Sequence, residues 1–256
     1  MSTKLSKTVV DGKAFVTLAE CVYIGDGTSQ TVKDVLNVSS DVNKYKGKTI
    51  LWLGDSISVS NNPSYPQKVC ASLGATLINK ASSGGDDVRM RNICQGDGTT
   101  QDQWGNTYPT IDFSNIDVVF IMIGHNCTAN LNKIKNGSST IDDIPVDDTD
   151  FKDFVTTSFY CNVGSCIEFM QNKNPNIEII LLTPLQSNNA VYINSTSIAK
   201  KALYDLADFY SLRIIDVHGR SGIYRKNASL YTTDGTHPNN IGTDIIRDVI
   251  LNGLNK

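Results

Sequence analysis

From residue 49 onward the apolar residues of this chain gather into five short, nearly continuous runs. Residues 49–53 (TILWL) form the first and end at Gly54, and residues 75–78 (ATLI) form the second. The third, residues 116–123 (IDVVFIMI), is rich in β-branched side chains, and residues 177–182 (IEIILL) and 212–217 (LRIIDV) complete the set. Runs that stay apolar without alternating predict strands covered on both faces, as in a parallel sheet flanked by helices. Helical spacing appears between them: Ala199, Ala202, Leu203, Leu206, Ala207 and Tyr210 recur at three- and four-residue steps. Ile241, Ile245, Ile246, Val249, Ile250 and Leu254 repeat that step at the C-terminal end. Strands alternating with helices predict right-handed crossovers and a three-layer α/β domain around a five-stranded parallel sheet.

Residues 1–46 read differently. Short β-like runs at residues 8–10, 14–18 and 22–24 precede a Gly25-Asp26-Gly27 turn, and residues 31–36 suit one or two helical turns. The segment is too small and too poor in apolar residues to hold a core, so it is expected to be an arm that pairs with something else. Residues 39–48 read as a polar linker, which puts the folded body at residues 47–256.

Composition narrows the function. Twenty-three basic residues stand against 26 acidic ones, a net charge of -3, so a nucleic-acid partner is not expected. No apolar run reaches the length of a membrane span. The N-terminus, MSTKLSKTVVDGKAF, lacks the apolar core of a signal peptide, so synthesis in the cytoplasm is expected. Cys21, Cys70, Cys94, Cys127, Cys161 and Cys166 show neither a C-x-x-C pair nor zinc-site spacing, and are expected to be reduced, mostly buried thiols. The acidic loop of Asp142, Asp143, Asp147, Asp148 and Asp150 lacks the glycine and terminal Glu of an EF-hand loop. It is expected to be a solvated, helix-capping loop, and no metal or cofactor is called for.

In such sheets ligands bind outside the carboxyl ends of the strands, so the residues following each run are where chemistry is expected. They are Gly54-Asp55-Ser56, Ser83-Gly84-Gly85, Gly124-His125-Asn126, Thr183-Pro184 and, beyond the fifth run, Asp234-Gly235-Thr236-His237-Pro238. Together they hold a hydroxyl, an uncrowded backbone amide, a carboxamide, a carboxylate and an imidazole, the parts that acyl transfer requires. A serine hydroxyl needs a base at hydrogen-bond distance to act as a nucleophile, and His237 can serve. Asp234, three residues earlier, can accept the Nδ1 proton and fix the tautomer. The Ser56 and Gly84 backbone N–H groups and the Asn126 carboxamide are the candidate donors to the developing oxyanion.

The set Gly54-Asp55-Ser56-Ile57, Gly84, Gly124-x-Asn126 and Asp234-x-x-His237 resembles the four blocks of the SGNH hydrolases, also called GDSL esterases/lipases. The flanking segments, residues 79–84 (NKASSG) and His237-Pro238-Asn239-x-x-Gly242, resemble that family too, and the likeness covers roughly residues 48–254. It implies a flavodoxin-like three-layer α/β/α fold. It also implies Ser56 as nucleophile, His237 as base, Asp234 as orienting acid, and Ser56, Gly84 and Asn126 as the oxyanion hole. One position departs: the family often has Asp after the block Asn, where this chain has Cys127, which puts support of that loop in question.

His125 stands beside this site, either touching substrate or facing solvent on a loop. Asp216 and His218 form a second acid–imidazole pair, but no serine block accompanies them, so they are read as structural. The long connection 86–112 carries Trp104 and Tyr108, which either stack on a sugar ring or pack the loop onto the body. The expected function is a serine esterase acting on small acyl groups, acetyl above all, carried by a carbohydrate. The rivals are a flavodoxin-like cofactor domain and a non-catalytic glycan-binding or virion structural protein on the same scaffold. The N-terminal VYIGDGTSQTVKDVL resembles short sequences of phage tail fibre and baseplate proteins. That likeness implies an esterase attached to a virion, or a homo-oligomer, through residues 1–46.

Overall fold

The first apolar run becomes a strand because its alternate residues find separate cores on the two faces of one sheet. In the computed structural model, which describes residues 8–10, 13–15, 22–23, 29–30, 43–101, 105, 107–146 and 150–255, this strand is β5 (Thr49–Gly54). Four shorter strands precede it: β1 (Thr8–Val10) and β2 (Lys13–Phe15) form one antiparallel pair, β3 (Val22–Tyr23) and β4 (Ser29–Gln30) another. The helical turns expected at residues 31–36 lie outside the described residues.

The central sheet contains β5, β6 (Thr76–Asn79), β7 (Val118–Met122), β8 (Glu178–Leu182) and β9 (Arg213–Ile215). Its order is β6-β5-β7-β8-β9, and every neighbouring pair is parallel. This is the flavodoxin-like strand order, in which the connections leaving β5 and β6 run to opposite sides and open a crevice at the carboxyl ends of β5 and β7.

Ile50 and Trp52 of β5 face one core together with Phe120, Met122, Ile180 and Leu182. Tyr65 and Val69 of α1 (Tyr65–Leu73) and Ile246 and Ile250 of α8 (Asn240–Leu254) close that side. Leu51 and Leu53 face the other core, with Val119, Ile121, Ile179 and Leu181. There the cover comes from α2 (Asp87–Cys94), α3 (Thr128–Lys135), α4 (Phe159–Lys173) and α5 (Ile193–Phe209). Two short helices, α6 (Val217–Arg220) and α7 (Ala228–Tyr231), carry the chain from β9 back to α8. Burial on both faces is why the strands show no polar alternation.

Boundaries differ from the sequence reading in several places. Tyr45, within the expected polar linker, is buried in the body, and its hydroxyl donates to Glu178 Oε1 at 3.0 Å. An aromatic ring with a polar tip satisfies both the core and the surface, so a polar neighbourhood does not predict its exposure. Helix α5 begins at Ile193, six residues before the first periodic apolar position. Its first turns are polar in sequence, but the Ser195 and Thr196 hydroxyls donate to the Tyr192 carbonyl at 3.0 and 3.1 Å, which lets them be buried. Finally, β9 is three residues long, shorter than the apolar run that contains it.

At the centre of the sheet Trp52 stacks on Phe120 with ring centroids 4.5 Å apart, both rings fully buried. Phe120→Ala is expected to cost about 3–5 kcal/mol, the range for deleting a buried aromatic side chain. Chemical denaturation measures it, and a loss under about 1 kcal/mol would show that the cavity collapses freely.

Candidate active site

Ser56 is delivered by the end of β5. A Cβ on Gly54 would lie 2.3 Å from the Met122 carbonyl oxygen, so only glycine lets β5 stay paired with β7 to its last residue. Asp55 then caps the short turn Ser56–Ser58, its Oδ1 accepting the Ile57 N–H at 3.0 Å. The turn rests on a buried polar group: the Ser58 and Tyr65 hydroxyls lie 2.6 Å apart, and Trp52 Nε1 donates to Tyr65 at 3.3 Å. Ser56 itself is 9% exposed, at the surface of this turn.

The loop after β6 is tied to the same turn. Asn79 Nδ2 donates to the Ser58 carbonyl at 2.9 Å, and the Ser82 N–H donates to the Gly54 carbonyl at 2.9 Å. Gly84 has φ +67°, a left-handed conformation that a side chain would strain. Asn126, after β7, donates from Nδ2 to the Gly85 carbonyl at 3.1 Å, so one proton of its carboxamide is held and the other is free to point elsewhere. The Ser56 and Gly84 N–H groups donate to no acceptor among the described residues.

The imidazole arrives from the far end of the chain. Asp234 Oδ1 accepts the Thr236 and His237 N–H groups at 3.0 and 2.8 Å, and Oδ2 lies 2.7 Å from His237 Nδ1. His237 Nε2 lies 2.9 Å from Ser56 Oγ. The loop after β8 supports this arrangement, with Asn188 N–H and Ser187 Oγ both donating to the Gly235 carbonyl at 3.0 and 2.8 Å. Burial raises the Asp234 carboxyl, but the N–H donors and the His237 ring outweigh it and hold it below the ordinary carboxylate range. A depressed value means that Asp234 stays ionised above that range, and its contribution is lost only as pH falls through the lowered value.

The structure thus gathers Ser56, Gly84, Asn126, Asp234 and His237, from four segments, at the carboxyl end of the sheet. Other candidates are placed elsewhere. His125 is 1% exposed, so it neither faces solvent nor presents its ring to a bound ester. Its N–H and Nδ1 both approach Asp55 Oδ2, at 3.3 and 3.2 Å, and its ring meets Tyr192 edge-on. Packing against Asp55, rather than loop position, sets its exposure. Trp104 lies outside the described residues. Tyr108 is 8% exposed and lines a cleft of about 330 Å³ with Asn79, Lys80, Ser82 and Arg89, beside the strand that leads to Gly84.

Asp216 is committed to Thr183 Oγ1, the Gly219 N–H and Lys200, at 2.9, 2.9 and 2.8 Å. Burial, and then Lys200, bring the His218 imidazole down to about 4, which keeps it neutral. In the acidic loop, Asp143 accepts the Ser139 and Ser158 hydroxyls at 2.5 and 2.9 Å, and Asp150 caps the turn Phe151–Asp153. Asp147 and Asp148 lie outside the described residues. Among the described residues no three His, Cys, Asp or Glu side chains gather as a metal site would need. Sequence reasoning missed the Asp55–His125 pair and the Asn79 tie; Asp55 and Asn79 sit in the quoted motifs, but their partners are distant in the chain.

Residues 52–245 match the model of the GDSL-like Lipase/Acylhydrolase family, a span of more than half the chain. Solved structures share the fold at low identity. A protein described as a possible lipase from Chitinophaga pinensis DSM 2588 is 17% identical with a TM-score of 0.57, over 80% of this chain and 96% of that one. The lipase/acylhydrolase from Enterococcus faecalis is 16% identical with a TM-score of 0.54, over 81% and 95%. An alpha/beta hydrolase enzyme from the metagenome of Lake Arreo, Spain, is 18% identical with a TM-score of 0.51, over 82% and 95%. No curated protein matches the sequence. The strand order, the four sequence blocks and the family match converge: the chain belongs to the GDSL-like lipase/acylhydrolase family of ester hydrolases.

Proposed function

We propose that this protein is a serine esterase that removes small acyl groups, acetyl above all, from a carbohydrate through an acyl-enzyme. The observation that carries the reading is the unbroken chain from Asp234 through His237 to Ser56, with contacts of 2.7 and 2.9 Å. In the first step Ser56 Oγ forms a bond to the ester carbonyl carbon while His237 Nε2 takes the hydroxyl proton. The carbonyl oxygen becomes an oxyanion facing the Ser56 and Gly84 N–H groups and the free Asn126 proton. Its collapse breaks the bond to the leaving alcohol, which receives the proton from His237. Water then attacks the acyl-enzyme, again deprotonated by His237, and releases the carboxylic acid and Ser56. These side chains and water account for every proton moved.

A cleft lined by Asn79, Lys80, Ser82 and Tyr108 together with Ile93, Pro109 and Ile111 sets hydrogen-bonding groups among apolar ones, which suits the leaving group of a sugar ester. Residues 1–46 would carry the attachment or oligomerisation role in this reading.

Hydrolysis of p-nitrophenyl esters by the wild type and Ser56→Ala tests the mechanism. Turnover of the acetate is expected to fall on the order of 10³-fold or more. Undiminished hydrolysis would remove Ser56 from the reaction and overturn the mechanism. A series of chain lengths up to palmitate is expected to show the highest kcat/KM at acetate, and a long-chain optimum would overturn the carbohydrate assignment alone.

Asp234→Asn should lower kcat by about 10²- to 10⁴-fold while leaving the fold intact. Because Asp234 is held below the ordinary range, it is ionised across about pH 5 to 8 and adds no inflection to kcat/KM there. An undiminished kcat in the folded variant would remove Asp234 from the mechanism.

A further inference from the structure

The departure at Cys127 leaves open what holds the Asn126 loop, and a buried cluster beneath it supplies a candidate. Asp87, the first residue of α2 and three residues beyond Gly84, is 1% exposed. Its Oδ2 accepts Asn130 Nδ2 of α3 and Asn162 Nδ2 of α4, each at 2.7 Å. The buried Cys127 thiol lies beside it. Burial pushes that thiol well above its ordinary value, so it stays S–H and is able to donate. Oriented neutral donors thus face the Asp87 carboxylate and offset its desolvation.

We propose that Asp87 is a positioning residue for the oxyanion hole: from beneath, it locks the Gly84 loop to the Asn126 loop through the Cys127 thiol and the Asn130 and Asn162 carboxamides. The inference rests on the Ser56 mechanism proposed above. On the exposed side the two loops meet through one bond, Asn126 Nδ2 to the Gly85 carbonyl at 3.1 Å. Asp87 supplies a second attachment, because Cys127 follows Asn126 directly and Asn130 lies one helical turn further on. Both carboxamides also donate to the Thr156 carbonyl, at 3.4 and 2.8 Å, which joins the segment before α4 to the cluster. A carboxylate with two lone-pair-bearing oxygens can gather several donors from separate elements, which no apolar residue of that size can do. Where the family often carries Asp at the position of Cys127, this chain brings its carboxylate from α2.

The test compares Asp87→Asn, Cys127→Ala and Cys127→Ser with the wild type on p-nitrophenyl acetate, each rate scaled to the folded fraction from a thermal melt. Asp87→Asn keeps the shape but turns an amide toward the donors. It is expected to lower kcat about 10- to 100-fold with KM within about threefold, since removing one oxyanion donor outright costs 10²–10³. Cys127→Ala should lower kcat by several fold, roughly 3 to 10, and Cys127→Ser should restore it, because the hydroxyl donates as the thiol does. An unchanged kcat in folded Asp87→Asn, or a loss confined to KM or to the folded fraction, would overturn the proposal. If Asp87→Asn does not fold, the cysteine pair decides: equal turnover in the Ala and Ser variants overturns it. Ser56→Ala separates the two readings. Activity surviving in that variant removes the mechanism itself, whereas an inactive Ser56→Ala beside a fully active Asp87→Asn removes only the role of Asp87.

Discussion

Gly54 pairs with Met122 across the middle of the sheet, and Trp52, two residues earlier, pairs with Asn79 on the other side. This parallel register brings the ends of β5, β6 and β7 to one level, so the three loops that follow emerge side by side. The nucleophile turn and the two loops beside it inherit that alignment. Ser56, Gly84 and Asn126 are close because their strands stop together. A slip of one residue would turn the two cores inside out, since β5 buries Ile50 and Trp52 on one face and Leu51 and Leu53 on the other. Register is therefore held by the whole apolar interior, and the site takes its precision from a part of the protein that touches no substrate.

Three aspartates near the site do different work because their surroundings differ. Asp234 lies on a partly open loop, where N–H donors and an imidazole keep it ionised and aimed at His237. Asp55 is buried and divided, one oxygen capping the turn that holds Ser56 and the other facing His125 beside Asn126. Asp87 is buried among carboxamides and a thiol, where desolvation raises its carboxyl. One side-chain type thus contacts an imidazole, caps the turn after β5, and gathers buried donors from α3 and α4. Solvent access and the identity of the donors decide which.

The sheet was readable in the chain because a strand covered on both faces must be apolar throughout, and each of the five runs contains the core of an observed strand. The motif residues were readable for a related reason. They follow strand ends, and strand ends are where such a sheet opens to ligands. Less was readable where burial depends on a distant partner. Tyr45 looked like linker until Glu178 was found to receive its hydroxyl. The polar start of α5 hid a helix because its hydroxyls satisfy themselves on the backbone. His125 belonged to a recognisable block, yet its exposure depended on Asp55, seventy residues earlier.

What the sequence determined by itself was therefore the order and nature of the strands, the helical faces of α5 and α8, and the polar groups that follow the strand ends. These follow from local periodicity and residue chemistry, which any segment carries without its neighbours. The tertiary structure alone decided which groups meet. The distance of 2.9 Å between Ser56 and His237, 181 positions apart, and the enclosure of Asp87 by residues of α3 and α4 arise only when both cores pack. Hydrogen bonds act over about 3 Å, and no local pattern in a chain records which distant atoms will come within that reach.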